Sequence, residues 1–245
     1  MTSYLSLELR RSLRDKRYVL ITVAWPVAAY LLFSTVFGAA ANRAEGLLPV
    51  VEIMVAMAAF GAMGGVLLAS GPRIAYDRQT GWLRQLSLTP LSKPRILGVR
   101  LLTAISLSVP AVMVTFATAA LVKGVSLDAW QWAAMAGVLV TGCIPFAVIG
   151  LIAGSVSDGD SSQGLTMVVY LLLASLGGLW MPVALLPGPM QTVAHVLPSN
   201  HLAQLGWSIA RGQVPAAGDV LVLFAWFAGA AAIAWLASRQ LSKRA

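Results

Sequence analysis

Six stretches of about 20 residues apiece, apolar and almost free of charge, constrain this chain more than any other feature, because a bilayer core needs a helix of that length. They run approximately from Tyr18 to Ala39, Val50 to Ser70, Leu101 to Leu121, Trp132 to Gly154, Gly164 to Leu185 and Val220 to Ala237. Only one acid, Glu52, falls inside them, close to the start of the second. In hydrocarbon every backbone polar group must be bonded within the segment, so such stretches are helices and not open strands. The expected fold is therefore all-α: a polytopic membrane protein with a six-transmembrane-helix bundle, and residues 1–245 forming a single transmembrane domain.

The charge content fits. Of the 245 residues 11% are charged and 58% hydrophobic, whereas soluble domains carry roughly 25% charged residues. A net charge of +8 would suit nucleic acid, but the basic residues lie beside apolar runs and not on an amphipathic surface, so no nucleic-acid partner is expected. Of the 17 Lys and Arg, only Arg43, Lys123 and Arg211 lie in the odd-numbered connections between spans. The positive-inside rule then places both termini and the loop between spans two and three in the cytoplasm, in a multi-pass protein of the cell membrane. The basic arm, apolar run and small residues Ala39, Ala40 and Ala41 are reminiscent of a secretory signal. The run is longer than a signal core of about 7–15 residues, so it is read as an uncleaved first helix. The single cysteine, Cys143, has no partner for a disulfide or a CxxC metal site.

Three segments are more than connections. In the N-terminal arm Leu5, Leu9 and Leu13 lie four apart among charged residues. The spacing predicts either a topogenic basic tail or, over residues 1–17, an interfacial elbow helix whose Glu8 can touch a soluble partner. The loop over residues 72–100 is far longer than the usual helix connection of about 2–8 residues. An extension of the second helix, a turn at Gly81 and a short surface helix before the Thr89-Pro90 break would account for it; the plainer reading is a basic loop lying on anionic lipid. The connection over residues 186–218 falls outside the cell by the charge argument, yet it is apolar and punctuated by Pro187, Pro189, Pro198 and Pro215. Short re-entrant helices that dip into the bilayer between spans five and six suit it, with the fifth helix breaking near Gly177, Gly178 and Pro182. Small pairs four apart, Gly61 with Gly65, Gly150 with Gly154 and Ala225 with Gly229, allow close helix approach.

The second of these segments carries a family resemblance. Asp77, Arg78, Gly81, Thr89, Pro90, Ser92, Ile96, Leu97, Gly98 and Arg100 fall in the places of a pattern found in permease subunits of type-2 ABC exporters, the ABC-2 membrane class. At Gln79 the chain departs from it, leaving one carboxylate where many members have two. Met181, Pro182, Pro187, Gln191 and Pro198 resemble the proline-punctuated region after the family's fifth span. The resemblance implies a half-transporter that pairs with a second permease copy or paralogue and with two cytoplasmic ABC ATPase subunits. It also makes Asp77, Arg78, Gly81 and Pro90, with Glu8 from the elbow, residues of an ATPase-coupling surface.

No GxxxxGK[ST] loop is present, so ATP and Mg are expected on the partner ATPase and no cofactor on this chain. Spans nearly free of ionisable groups argue against a proton or ion relay and favour a lipophilic substrate, such as a drug, an antibiotic or a lipid-like molecule, as in efflux and antibiotic resistance; membrane lipids are expected partners too. Glu52 is read either as an interfacial acid or as a gate or substrate contact. Rival classes fit less well. A secondary transporter or channel would be expected to show buried charges or an inverted repeat. An intramembrane enzyme would need a nucleophilic serine paired with a histidine in a later span, but His195 and His201 both fall in the connection between spans five and six.

Overall fold

The protein is described from a computed structural model covering residues 15–37, 47–81, 93–181, 183 and 186–242. Among these every regular element is helical. The first rod, α1, runs through Lys16–Val19, a π-helical turn Leu20–Ala24, and Trp25–Val36. Pro26 explains the turn: it has no N–H to donate, and its ring crowds the carbonyl one turn earlier, so the helix widens there. Pro49–Gln79 forms α2, started by Pro49 in the first turn, where a missing N–H costs nothing. It continues nine residues beyond Ser70 without a break at Pro72 and ends on Thr80 and a left-handed Gly81, φ 71°.

The third and fourth apolar stretches are each two helices rather than one. Lys93–Ser106 (α3) and Val109–Lys123 (α4) are separated at Leu107 and Ser108; Ala129–Thr141 (α5) and Ile144–Val156 (α6) are separated at Gly142 and Cys143. In each case a proline, Pro110 or Pro145, sits in the first turn of the second piece, and the ladder is interrupted ahead of it. Gly159–Leu176 forms α7. It begins five residues before the expected Gly164 and stops nine short of the expected Leu185, because Gly177 caps it and Gly178 takes a left-handed φ of 79°. Two short helices follow, Gly188–Ala194 (α8) and Pro198–Ala210 (α9), and Ala217–Ser242 (α10) ends the described chain.

Four helical stretches are long and apolar enough to cross a membrane: Pro49–Gln79, Gly98–Lys123, Ala129–Val156 and Ala217–Leu236. Leu20–Val36 is apolar but shorter.

The centre of the bundle is α2, which packs against α1, α4, α6, α7 and α9, most extensively against α6. Helices approach closely in lipid when small residues face one another, since dispersion between backbones replaces a missing hydrophobic drive. The α2–α6 crossing is built this way: a Cβ on Gly154 would overlap the backbone of Gly71, and one on Gly150 would overlap Ser70. On another side of α2, the absence of a side chain at Gly64 leaves room for the Tyr170 ring of α7, which stacks on Phe60 at 4.5 Å and donates to the Phe60 carbonyl at 3.2 Å. Tyr18 of α1 donates to the Gly65 carbonyl at 2.8 Å. These two tyrosines place their hydroxyls against helix carbonyls, whereas the hydroxyls of Tyr30, Ser162 and Thr166 are buried without a hydrogen-bond partner.

The segment after α7 is tied back at several points. Ser199 donates to the Leu173 carbonyl at 2.6 Å, adding to the bond that carbonyl accepts from the Gly177 N–H, and Asn200 donates to the Gly177 carbonyl at 3.1 Å, just past the end of α7. Gln131 of α5 donates to the carbonyls of Ile209 and Ala210 at the end of α9, while its own side-chain oxygen caps the Asp128 N–H at 2.9 Å. Trp226, nine residues into α10, donates to the Val196 carbonyl at 2.8 Å. The turn between α8 and α9 therefore lies about 13 Å along α10 from its start, at a rise of about 1.5 Å per residue.

Candidate functional site

The end of α2 that projects past the apolar bundle carries Asp77, Arg78 and Gln79 in succession. Successive helical side chains are turned about 100° from one another, so three in a row face three directions. Here each direction holds a different helix. Asp77 accepts a hydrogen bond from Arg100 of α3 at 2.5 Å, and both side chains are largely buried. Arg78 donates to the Ser155 carbonyl near the end of α6. Gln79 packs its amide against Gly159 at the start of α7, where no side chain intervenes and φ is 39°.

The ion pair is the strongest of these links: a charge-assisted bond out of bulk water is worth more than a neutral one, and either group alone would be left desolvated and unpaired. Beside it an open cavity of about 550 Å3 separates α1, α2 and α7 and is lined by Asp15, Tyr18, Tyr76, Asp77 and Asp160. Gly81 ends the helix in a conformation that a side chain would strain, and the chain leaves α2 there. Asp77, Arg78 and Gln79 thus join this end of α2 to α3, α6 and α7.

Of the other residues singled out in the sequence, Glu8 and Pro90 lie outside the described residues. Glu52 is separated from Asp77 by most of the length of α2. It sits half-buried in the first turn, where a negative charge suits the helix N-terminus, and its backbone carbonyl accepts from Trp207 of α9 at 3.0 Å. The structure does not bring Glu52 and Asp77 into one site.

Two features escaped the sequence reading. Arg100 is the partner of Asp77 and not merely a basic residue preceding a span. His201 is held between two elements: its Nδ1 lies 2.6 Å from an Asp219 carboxylate oxygen at the start of α10, and its Nε2 lies 2.9 Å from the His195 carbonyl. That pair fastens α9 to α10. Among the described residues no group of three or more His, Cys, Asp or Glu is placed to hold a metal ion.

Comparison with known proteins gives the arrangement a context. The family model described as ABC-2 type transporter matches residues 3–206. The chain is also 29% identical over 219 residues, covering 89% of each chain, to a protein of Bacillus subtilis (strain 168) named "Putative transport permease YvfS".

Proposed function

We propose, on the premise that this chain belongs to the ABC-2 type transporter family, that it exports a lipophilic drug, antibiotic or lipid-like substrate using the energy of a separate ATPase. Membership makes it a permease subunit of an ABC transporter, a multi-pass membrane protein, and implies association with ABC ATPase partners. In this reading the chain crosses the membrane six times, with Lys16–Val36 and Gly159–Leu176 as the two shorter crossings, and pairs with a second copy or a close relative. Both termini lie in the cytoplasm. A lipophilic cargo agrees with apolar stretches in which Glu52 is the one acid.

One observation carries the coupling role: Asp77, Arg78 and Gln79 each engage a different helix at one end of the central rod. An ATPase pressing on the segment that begins at Gly81, with Glu8 and Pro90 contributing to the same surface, pulls on α3, α6 and α7 together. Rigid helices then tilt as a group, and a path between the paired permeases opens outward. In this reading Glu52, at the opposite end of α2, serves as an interfacial acid or as a gate or substrate contact.

The test is reconstitution of the chain with its ATPase in vesicles loaded with a lipophilic fluorescent dye. ATP-dependent, vanadate-sensitive dye movement is expected, and Asp77→Arg is expected to lower it at least tenfold while the ATPase still co-purifies. Dye movement at the same rate with the ATPase omitted would overturn the reading in favour of a secondary carrier.

A further inference from the structure

The small-residue pair Ala225 and Gly229 is exposed on α10, unlike Gly61 and Gly150, whose missing side chains are filled by neighbouring helices. A Cβ on Gly229 meets nothing within 4 Å. The pair instead lines a groove of about 740 Å3 in which Ile149 to Val156 of α6 form the floor, Leu165 and Val169 of α7 one side, and Val222 to Ile233 of α10 the other. His195 and Val196 close one end, and the Trp226 bond to Val196 fixes that closure. The other end runs out at Val156, the last residue of α6, which is exposed.

Three properties decide what fills it. Its lining is apolar apart from His195 at the closed end, so a water inside would lack the two to four polar partners it needs. Its rims continue without a polar break into the exposed apolar face of α10, through Leu221, Phe224 and Leu236, which is the surface that meets lipid in a multi-pass protein. Its length along α10, the eleven steps from Val222 to Ile233, is about 16 Å at a rise of about 1.5 Å per residue, close to half of a hydrocarbon core of about 30 Å. A spanning helix from a second copy would need a seam of the full thickness, and here residues 195 and 196 stand in its way. One leaflet's worth of alkyl chain fits.

We infer that this groove holds one acyl chain of a phospholipid from the leaflet bordering the α6–α7 turn, as a resident constituent of the protein. A vacant groove would cost its lining the dispersion contacts that lipid tails supply everywhere else on the surface. The bound chain props α10 against α6 and α7 at the place where Gly229 leaves a gap. The inference rests on the protein's place in the membrane and not on its cargo or its ATPase.

Native mass spectrometry of the full chain, purified from membranes in mild detergent, tests it. The wild-type chain is expected to retain about one phospholipid per copy, as for a groove sized to a single leaflet. Gly229→Leu puts a side chain into the groove, where its Cβ meets no protein atom within 4 Å, and is expected to lose that lipid while remaining folded. Gly137→Leu, which also enters open space but on α5 and away from the groove, is expected to keep it. Vesicles carrying chain-spin-labelled phosphatidylcholine give a second reading: an immobilised lipid component present in wild type and absent in Gly229→Leu. Equal lipid in the two proteins by both methods would overturn the inference. So would loss of a two-copy assembly in Gly229→Leu with lipid unchanged, or stoichiometric displacement of the lipid by the transported dye.

Discussion

Asp77 and Arg100 face each other across 23 positions of sequence, with their side chains mostly out of water. Removing one partner strands the other, so Asp77→Asn and Arg100→Gln are each expected to destabilise the chain by about 1–3 kcal/mol. The double variant is expected to cost less than the sum by about 1 kcal/mol, the signature of a direct pair; a double-mutant cycle on thermal unfolding in detergent measures it. Gly154 belongs to the same scale. Its missing Cβ is occupied by the backbone of Gly71, and Gly154→Ala is expected to cost about 1–3 kcal/mol through forced separation of two helices. Gly164→Ala, with open space around it, is expected to be neutral or slightly stabilising in the same melt. The sequence marked Asp77 and Arg78 through their motif and Gly154 through its spacing. It could not mark Arg100 as a partner, since a contact between two helices leaves no local pattern, nor the Ser155 carbonyl, which every residue type possesses.

Helices were legible from hydropathy, and the breaks between them much less so. A run of residues from Leu101 to Leu121 is apolar on both sides of Ser108, and hydropathy carries no information about the hydrogen bond that Pro110 removes. The end of α7 was easier, because Gly177 and Gly178 together supply a cap and a left-handed turn. The start of α9 was harder, since Ser199 and Asn200 act through the carbonyls of another helix. The capping box from Asp128 to Gln131 has a readable D-x-x-Q spacing. What the spacing does not reveal is that Gln131 also reaches the last carbonyls of α9. Gln131→Leu keeps the volume and removes all three bonds, with an expected cost of about 1–3 kcal/mol for buried groups left unpaired. Faster hydrogen exchange confined to the ends of α5 and α9 would identify the loss with those elements, whereas uniform acceleration along the bundle would mean that Gln131 acts on global stability alone.

At the scale of the whole molecule, α2 is sheathed by other helices while α10 is exposed over most of its length. A soluble chain would hide α10; in a bilayer the exposed face of Leu221, Phe224, Trp235 and Leu236 meets lipid at no cost. Which end of the bundle faces the cytoplasm follows from charge, a property of the loops taken together and of no single element. Cysteine labelling reads it out with little background, because the one native thiol, Cys143, is fully buried. Thr80, at the end of α2, and Gln213, between α9 and α10, are both exposed and sit at opposite ends of the bundle. In intact cells a membrane-impermeant maleimide is expected to label Gln213→Cys and to leave Thr80→Cys untouched until the membrane is permeabilised. The reverse pattern would put Asp77 and its three-helix junction outside the cell, beyond reach of any ATPase, and the coupling role assigned to that junction would be lost with the orientation.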